Sequence, residues 1–345
     1  MTSQKGSAPV VAVVGATGHT GRFVVAELLR RGIAPVAIAR NAQSLKAADF
    51  AGHNVERQAA SVADAESLDR ALAGARAVIN CAGPFLDTAD AVASAAMRAR
   101  IHYVDVTAEQ ASARTTLEKF DNAAREAGVV VLPAMGFYGG FADLLVTSLM
   151  GAVDRAPAID AASSIEIMIG LDSWHPTIGT RRTGEKNSGT RYVISHGELA
   201  PVQSPLKVKG WTFGDPVGHQ FVREVALSEI ILISRHFKTH ELHNYISENA
   251  LRDIHDESTP SPEAADESGR SAQRFEVVVT IMRPGETRQS SARGRDIYAF
   301  TAPLVSEATE RLLNGKFRDV GAHAPGEIFD ARAFLSALPL ELRLR

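Results

Sequence analysis

The sequence predicts an α/β protein: a doubly wound parallel sheet followed by a second domain of mixed α/β character. Three observations carry this. Short apolar runs alternate with amphipathic helical patterns through the first 135 residues. A glycine-punctuated turn joins the first run to the first helical pattern. Beyond about residue 150 the pattern changes to alternating, half-buried strands such as SSIEIMIGL and RFEVVVTIM.

Taken in order, Val10 to Val14 is a continuous valine-rich run, as expected of a strand covered on both faces. Thr20 to Arg31 follows as a helix with Val24, Val25, Leu28 and Leu29 on one face and Gly32 placed to end it. Val36 to Ala39, Val55 to Ala59, Ala77 to Asn80, Tyr103 to Val106 and Val129 to Leu132 have strand character, and helical patterns lie between them at about 64 to 73, 87 to 99 and 110 to 127. Such alternation implies parallel strands joined by right-handed crossovers. The expected division is a dinucleotide-binding domain over 1–135, a substrate or dimerisation domain over 136–298, and a helical segment over 299–345 that returns to the first domain. In the second domain VALSEIILIS and THELHNYIS also read as strands, and Arg252 to Gln273, rich in Ser, Pro, Glu and Asp, reads as an exposed loop.

Composition narrows the function classes. With 345 residues the chain is long enough for two domains, and its formal net charge of -3 gives no general attraction to nucleic acid or to an anionic membrane. Cys81 is the single cysteine, so no internal disulfide can form. The first nine residues are polar and no later stretch is apolar for long enough to span a bilayer, so a cytoplasmic protein is expected.

Chemistry concentrates in the turn GATGHTGR, residues 15 to 22. Gly15 allows the tight turn; Gly18 and Gly21 let backbone N–H groups approach a pyrophosphate at the start of the helix, with Thr17 and Thr20 beside them. The second strand ends in VAIARN, where a carboxylate would usually meet the ribose 2′-hydroxyl of NAD. No Asp or Glu occurs between Glu27 and Asp49, whereas Arg40 and Arg22 can meet a 2′-phosphate, so NADP is the expected cofactor, with Asn41 a further cofactor-binding candidate. The fourth strand ends in VINCAGPF, which adds Cys81, Ala82, Gly83 and Pro84 to the cofactor side and Phe85 to the substrate side. The fifth ends in HYVDVTAE, which offers Asp105 and Glu109 at the same crevice.

In their order and spacing, GATGHTGR, NCAGPF and HYVDVTAE resemble the saccharopine dehydrogenase-like NADP-binding family. The resemblance continues through LPAMGFYGGFADLL and the C-terminal GRDIYAFTAPLVSEATERLLNG…PGEIFDARAFLSAL. It implies an NADP-dependent oxidoreductase with a Rossmann domain, a mixed α/β second domain and a returning C-terminal segment, reducing a C=N or C=C bond. Gly136, Phe137 and Asp143 match the family's glycine–aromatic–aspartate turn. The sequence departs from the pattern at Ala108, and at Tyr138, Gly139 and Gly140 within that turn.

Tyr138 and Asp105 are the candidate catalytic residues, with domain-seam packing and helix capping as their respective alternatives. Residues 172 to 192, DSWHPTIGTRRTGEKNSGTRY, form a candidate lid in which Trp174, His175, Arg181 and Arg182, with Phe137, would wall a small-molecule substrate. The histidines have no grouping that suggests a metal, and there is no nucleophile-elbow, P-loop or Tyr-x-x-x-Lys motif. A homodimer through the second domain is a further expectation. An NADP-binding redox-sensing regulator is the alternative to an enzyme. In an enzyme residues 172 to 192 should face the crevice; in a regulator they should face outward.

Overall fold

The computed structural model describes residues 8–50, 52–150, 163–187 and 189–344. The first seven-stranded sheet runs β15-β6-β5-β4-β1-β2-β3. It is built from β1 (Val10–Val14), β2 (Ala34–Ala39), β3 (Glu56–Ala59), β4 (Ala77–Asn80), β5 (His102–Asp105), β6 (Val130–Leu132) and the distant β15 (Gly321–Ala322). Every pairing in it is parallel. The helices α1 (His19–Arg30), α2 (Ala42–Ala47), α3 (Ala65–Leu72), α4 (Phe85–Ala99) and α5 (Gln110–Ala127) make the crossovers. The unbroken apolar reading of β1 has a direct cause. Val11 and Val13 join the core on one side of the sheet, while Ala12 and Val14 join the core on the other. Strand order reverses between β4 and β2 on either side of β1, so the crevice for a ligand lies at the carboxyl end of β1.

The second sheet runs β10-β11-β12-β7-β13-β14-β16. Its strands are β7 (Ser164–Leu171), β10 (Val208–Thr212), β11 (His219–Glu224), β12 (Glu241–Ser247), β13 (Arg274–Arg283), β14 (Glu286–Arg295) and β16 (Glu341–Leu344), with β8 (Tyr192–Ser195) paired to β12 and to β9 (Glu198–Pro201). Helix α10 (Ile297–Leu313) packs on both sheets, α6 (Gly140–Met150) packs on β13 and β14, and α8 (Ser228–His236) packs on β8, β12 and α5; α7 (Ile178–Lys186), α9 (Glu248–His255), α11 (Pro325–Ile328) and α12 (Ala331–Leu335) complete the helices named here.

Two expectations are corrected. VALSEIILIS is mostly helix α8, not a strand. Ser228 to Ile233 are buried without a break, and an apolar run covered all round has no period to separate a buried helix from a strand. The expected loop from Arg252 begins inside α9, which continues to His255.

The C-terminal segment serves both sheets. Helix α10 packs on α1, where Arg31 at the end of α1 bonds Glu307 and Glu310 at 2.7 Å each. Beyond it β15 extends the first sheet beside β6, and β16 extends the second beside β14.

Candidate functional site

The glycine loop is shaped by close backbone contact. Gly15 has φ +80°, a left-handed conformation that favours glycine, and a Cβ there would stand 2.9 Å from the Ala82 nitrogen and the Cys81 carbonyl carbon. A Cβ on Gly21 would overlap the Gly15 carbonyl oxygen, so the first turn of α1 rests directly on the loop. Gly18 differs. Its φ is -71°, it occupies the N-cap of α1 with no side chain bonding the helix N–H groups, and a Cβ would approach only Gly15 O, at 3.1 Å. The N–H groups of Gly15, Ala16 and Gly18 are taken by backbone carbonyls, so the donors suited to a pyrophosphate are those of the first turn of the 12-residue α1, which no side chain caps. Thr17 and Thr20 are half-buried beside it.

Arg40 at the end of β2 and Arg22 in α1 are exposed. Asn41 is partly committed: its side-chain oxygen accepts Ser44 N at 2.9 Å and caps α2, leaving its amide NH₂ for a ligand. The turn after β4 is rigid. Cys81 N bonds Val14 O at 2.8 Å and Ala82 N bonds the Asn80 side chain at 3.0 Å. Burial pushes the Cys81 thiol up to about 12, so Cys81 contributes backbone and packing rather than a thiolate. The N-terminus of α4 is occupied by Glu109, whose oxygens accept Phe85 N and Leu86 N at 2.8 and 3.0 Å. Phe85 is buried at that turn.

Four sequence-based assignments need correction. Asp105 is fully buried with both oxygens engaged: one accepts Thr107 N and Ala134 N at 3.0 and 2.8 Å, the other the Tyr103 hydroxyl at 2.8 Å. It ties the loops after β5 and β6 together rather than facing a substrate. Phe137 lies in an aromatic core with Phe141, Phe275 and Phe300, not on a substrate wall. Arg181 bonds the carbonyls of Asp256 and Thr259, and Arg182 is exposed, so neither forms the expected wall. Asp105→Ala should cost on the order of 3 kcal/mol, because it leaves two buried N–H groups without an acceptor; Asp105→Asn, whose oxygen can still accept from them, should cost much less. Urea unfolding of both variants checks this, and equal losses would show that charge rather than acceptor geometry matters.

The candidate lid does lie over the crevice, as helix α7, capped at Thr177, whose side chain accepts Thr180 N. A Cβ on Gly83 would stand 3.1 Å from Thr183 Oγ1, and Lys186 pairs with Asp87 of α4. On the other side the Tyr298 hydroxyl is the hub. Trp174 Nε1 donates to it at 2.9 Å, Thr180 Oγ1 lies at 2.9 Å, and the Tyr298 ring meets His19 of α1 edge-on at 5.4 Å. Trp174 is buried and stacks on Tyr138 at 5.3 Å; His175 is half-buried.

Tyr138 is buried at this seam with no hydrogen-bond partner for its hydroxyl, and burial holds its phenol well above the ordinary range. The neighbouring Glu229, in the first turn of α8, is fully buried with neither carboxylate oxygen partnered. Sequence reasoning missed Glu229, Tyr298, Thr183 and His19. Only His19, inside the glycine motif, carried a local signal.

The fold and these residues define a two-domain dinucleotide-binding protein whose crevice is covered by a helix from the second domain. Residues 11–132 match the saccharopine dehydrogenase NADP binding domain. It is 32% identical over 151 residues to a lipid droplet localized protein of Caenorhabditis elegans, covering 40% of this chain and 35% of that protein. It is 27% identical over 145 residues to a probable mitochondrial saccharopine dehydrogenase-like oxidoreductase of Arabidopsis thaliana, covering 36% of this chain and 31% of that one. The matches thus span about a third of the length of these relatives. Saccharopine dehydrogenase (L-Glu forming) of Saccharomyces cerevisiae shares the fold, with a TM-score of 0.64 at 14% identity over 98% of this chain and 100% of that chain. Among the described residues no helix is long and apolar enough to cross a membrane.

Proposed function

We propose that the protein is an NADP-dependent oxidoreductase that reduces a C=N or C=C bond of a small or medium substrate held between the two sheets. The observation that carries this reading is the position of α7. It lies against Gly83 of the turn after β4 while Trp174 turns inward onto Tyr138, an arrangement suited to excluding water from a reacting pair and unneeded by a surface that only signals. When bound, NADPH supplies the hydride. Gly15, Gly18 and Gly21 with the α1 N-terminus hold the pyrophosphate, Arg40 and Arg22 meet the 2′-phosphate, and the backbone of residues 81 to 84 lines the nicotinamide side. Trp174 and Tyr138 form the inner wall.

NADPH should bind at least tenfold more tightly than NADH, about 1.4 kcal/mol, and Arg40→Asp should erase most of that preference. Fluorescence titration of both cofactors measures it, and equal affinities in the unmodified protein would reject the assignment. Oxidation of NADPH in the presence of a panel of imines, enamines and activated enoyl compounds then tests the reaction class.

A further inference from the structure

Glu229 is placed where an idle carboxyl would be costly. It sits in the first turn of α8, and the preceding residue, Ser228, fastens that helix end to the crevice: Ser228 N donates to Ala108 O at 3.2 Å, and its hydroxyl donates to Thr107 O at 3.2 Å. These acceptors follow β5 at its carboxyl end, the side on which the glycine loop follows β1. Gln110 of α5 holds the approach from two directions. Its amide donates to the carbonyls of Tyr192 and Leu227 at 2.8 and 2.9 Å, and its oxygen accepts Tyr192 N at 2.8 Å. Thus Arg191, next to Tyr192, and Glu229, two residues after Leu227, are presented by one buried side chain.

The groups facing Glu229 are few. Burial raises the titration of Glu229 to about 7, outweighing the amides of Glu229 itself and of Gly139, which lie near without making a hydrogen bond of good geometry, and the Arg191 guanidinium. Tyr138, from the loop after β6, is held at the same helix end, its carbonyl oxygen accepting the Ser228 hydroxyl at 3.5 Å; besides burial, the charges of Tyr298 of α10 and of Glu229 disfavour its phenolate. Asp105 and Glu109 lie behind Thr107 and Ala108, with their oxygens already taken by backbone donors. Two partnerless polar groups, the Glu229 carboxyl and the Tyr138 hydroxyl, therefore occur together inside the seam that α7 and Trp174 cover. A buried polar group without a partner calls for an explanation, and two in one place point to a ligand or a proton path.

We infer that Glu229 is the carboxyl that exchanges the proton accompanying hydride transfer, with the Tyr138 hydroxyl between it and the substrate. The inference rests on the NADP reading above. In the reductive direction the unsaturated carbon gains the hydride and the π electron pair moves to the neighbouring atom. That atom takes the Tyr138 proton as Tyr138 takes one from Glu229. The hydride donor is oxidised, the substrate gains two hydrogens, and Glu229 is left as a carboxylate to be reprotonated from water. Gln110 is a positioning residue in this scheme.

The test needs no substrate. Oxidised nicotinamide carries a positive charge that reduced nicotinamide lacks, so NADP⁺ beside Glu229 should drive off its proton and NADPH should not. Calorimetric titration of NADP⁺ and of NADPH, each in two buffers of different protonation enthalpy, gives the protons released by each. The 2′-phosphate is common to both cofactors and cancels in the difference. At pH 7 NADP⁺ should release roughly half a proton more than NADPH, with the difference shrinking by pH 9, where Glu229 is already ionised. In Glu229→Gln the difference should vanish while NADPH affinity stays within about threefold, since Glu229 does not hold the phosphates. The fall in the difference between pH 7 and pH 9 in the unmodified protein stands as a test even if that variant does not fold; a difference that survives in Glu229→Gln and vanishes in Asp105→Asn would assign the proton to Asp105 and overturn the inference. Equal release by the two cofactors, both bound, would overturn it while leaving the cofactor reading intact. Failure of the unmodified protein to bind NADPH would overturn both.

Discussion

Gly18→Val is expected to lose at least a hundredfold in NADPH affinity, roughly 3 kcal/mol, with little change in folding. The branched methyls would reach past the single backbone oxygen near this position into the space in front of the α1 N–H groups, where a phosphate must come. Because Gly18 has an ordinary negative φ, valine carries no left-handed strain there. Gly21→Val is the contrast, since its Cβ would collide with the Gly15 carbonyl and damage the fold itself. NADPH titration beside a thermal melt distinguishes the two failures. Normal NADPH binding by a folded Gly18→Val protein would show that the loop does not hold the phosphates.

The second large effect is on stability against pH. The Glu229 carboxyl titrates near 4.5 when unfolded and at about 7 when folded, so between those values the folded state binds more protons. Its contribution is therefore greatest below about pH 4.5, falls as pH rises through the window to about 7, and is level beyond it. The total is on the order of 3 kcal/mol. Asp105, raised to about 6 chiefly by burial, acts in the same direction over a lower window. Glu229→Gln should match the unmodified protein near pH 5, surpass it at pH 8, and lack the Glu229 component of the slope. Urea denaturation at a series of pH values reads this directly, and parallel curves for the two proteins would show that Glu229 ionises freely in the fold.

The first sheet was legible in the sequence because each strand is covered on both faces and each crossover helix on one, which writes two different periods into the chain. The glycine loop was legible because backbone contact forbids side chains at Gly15 and Gly21, and only glycine meets that demand. Helix α7 was hidden for the opposite reason: none of its residues is buried, so it has no apolar face to betray it. Helix α8 was hidden because it is buried nearly all round. Glu229 could not be read as a site residue, since its meaning depends on Gln110 and Tyr138 arriving from two other parts of the chain. Arg181 and Phe137 show the converse, residue types suited to a substrate wall but turned to a loop and to the core.

The split allegiance of the C-terminal segment bears on how the molecule is made. During synthesis β6 emerges long before β15, so the outer edge of the first sheet must wait, unpaired, while the whole second sheet except its last strand is translated. The glycine-loop helix α1 likewise waits for α10. A half-made chain can form the order β6-β5-β4-β1-β2-β3 but shows an open strand edge and an uncovered helix face, both invitations to mispairing. The nascent first domain thus keeps its open edge until α10 and β15 have left the ribosome, and ribosome-stalled chains ending just before β15 should be cleaved by protease far more readily than those ending after β16.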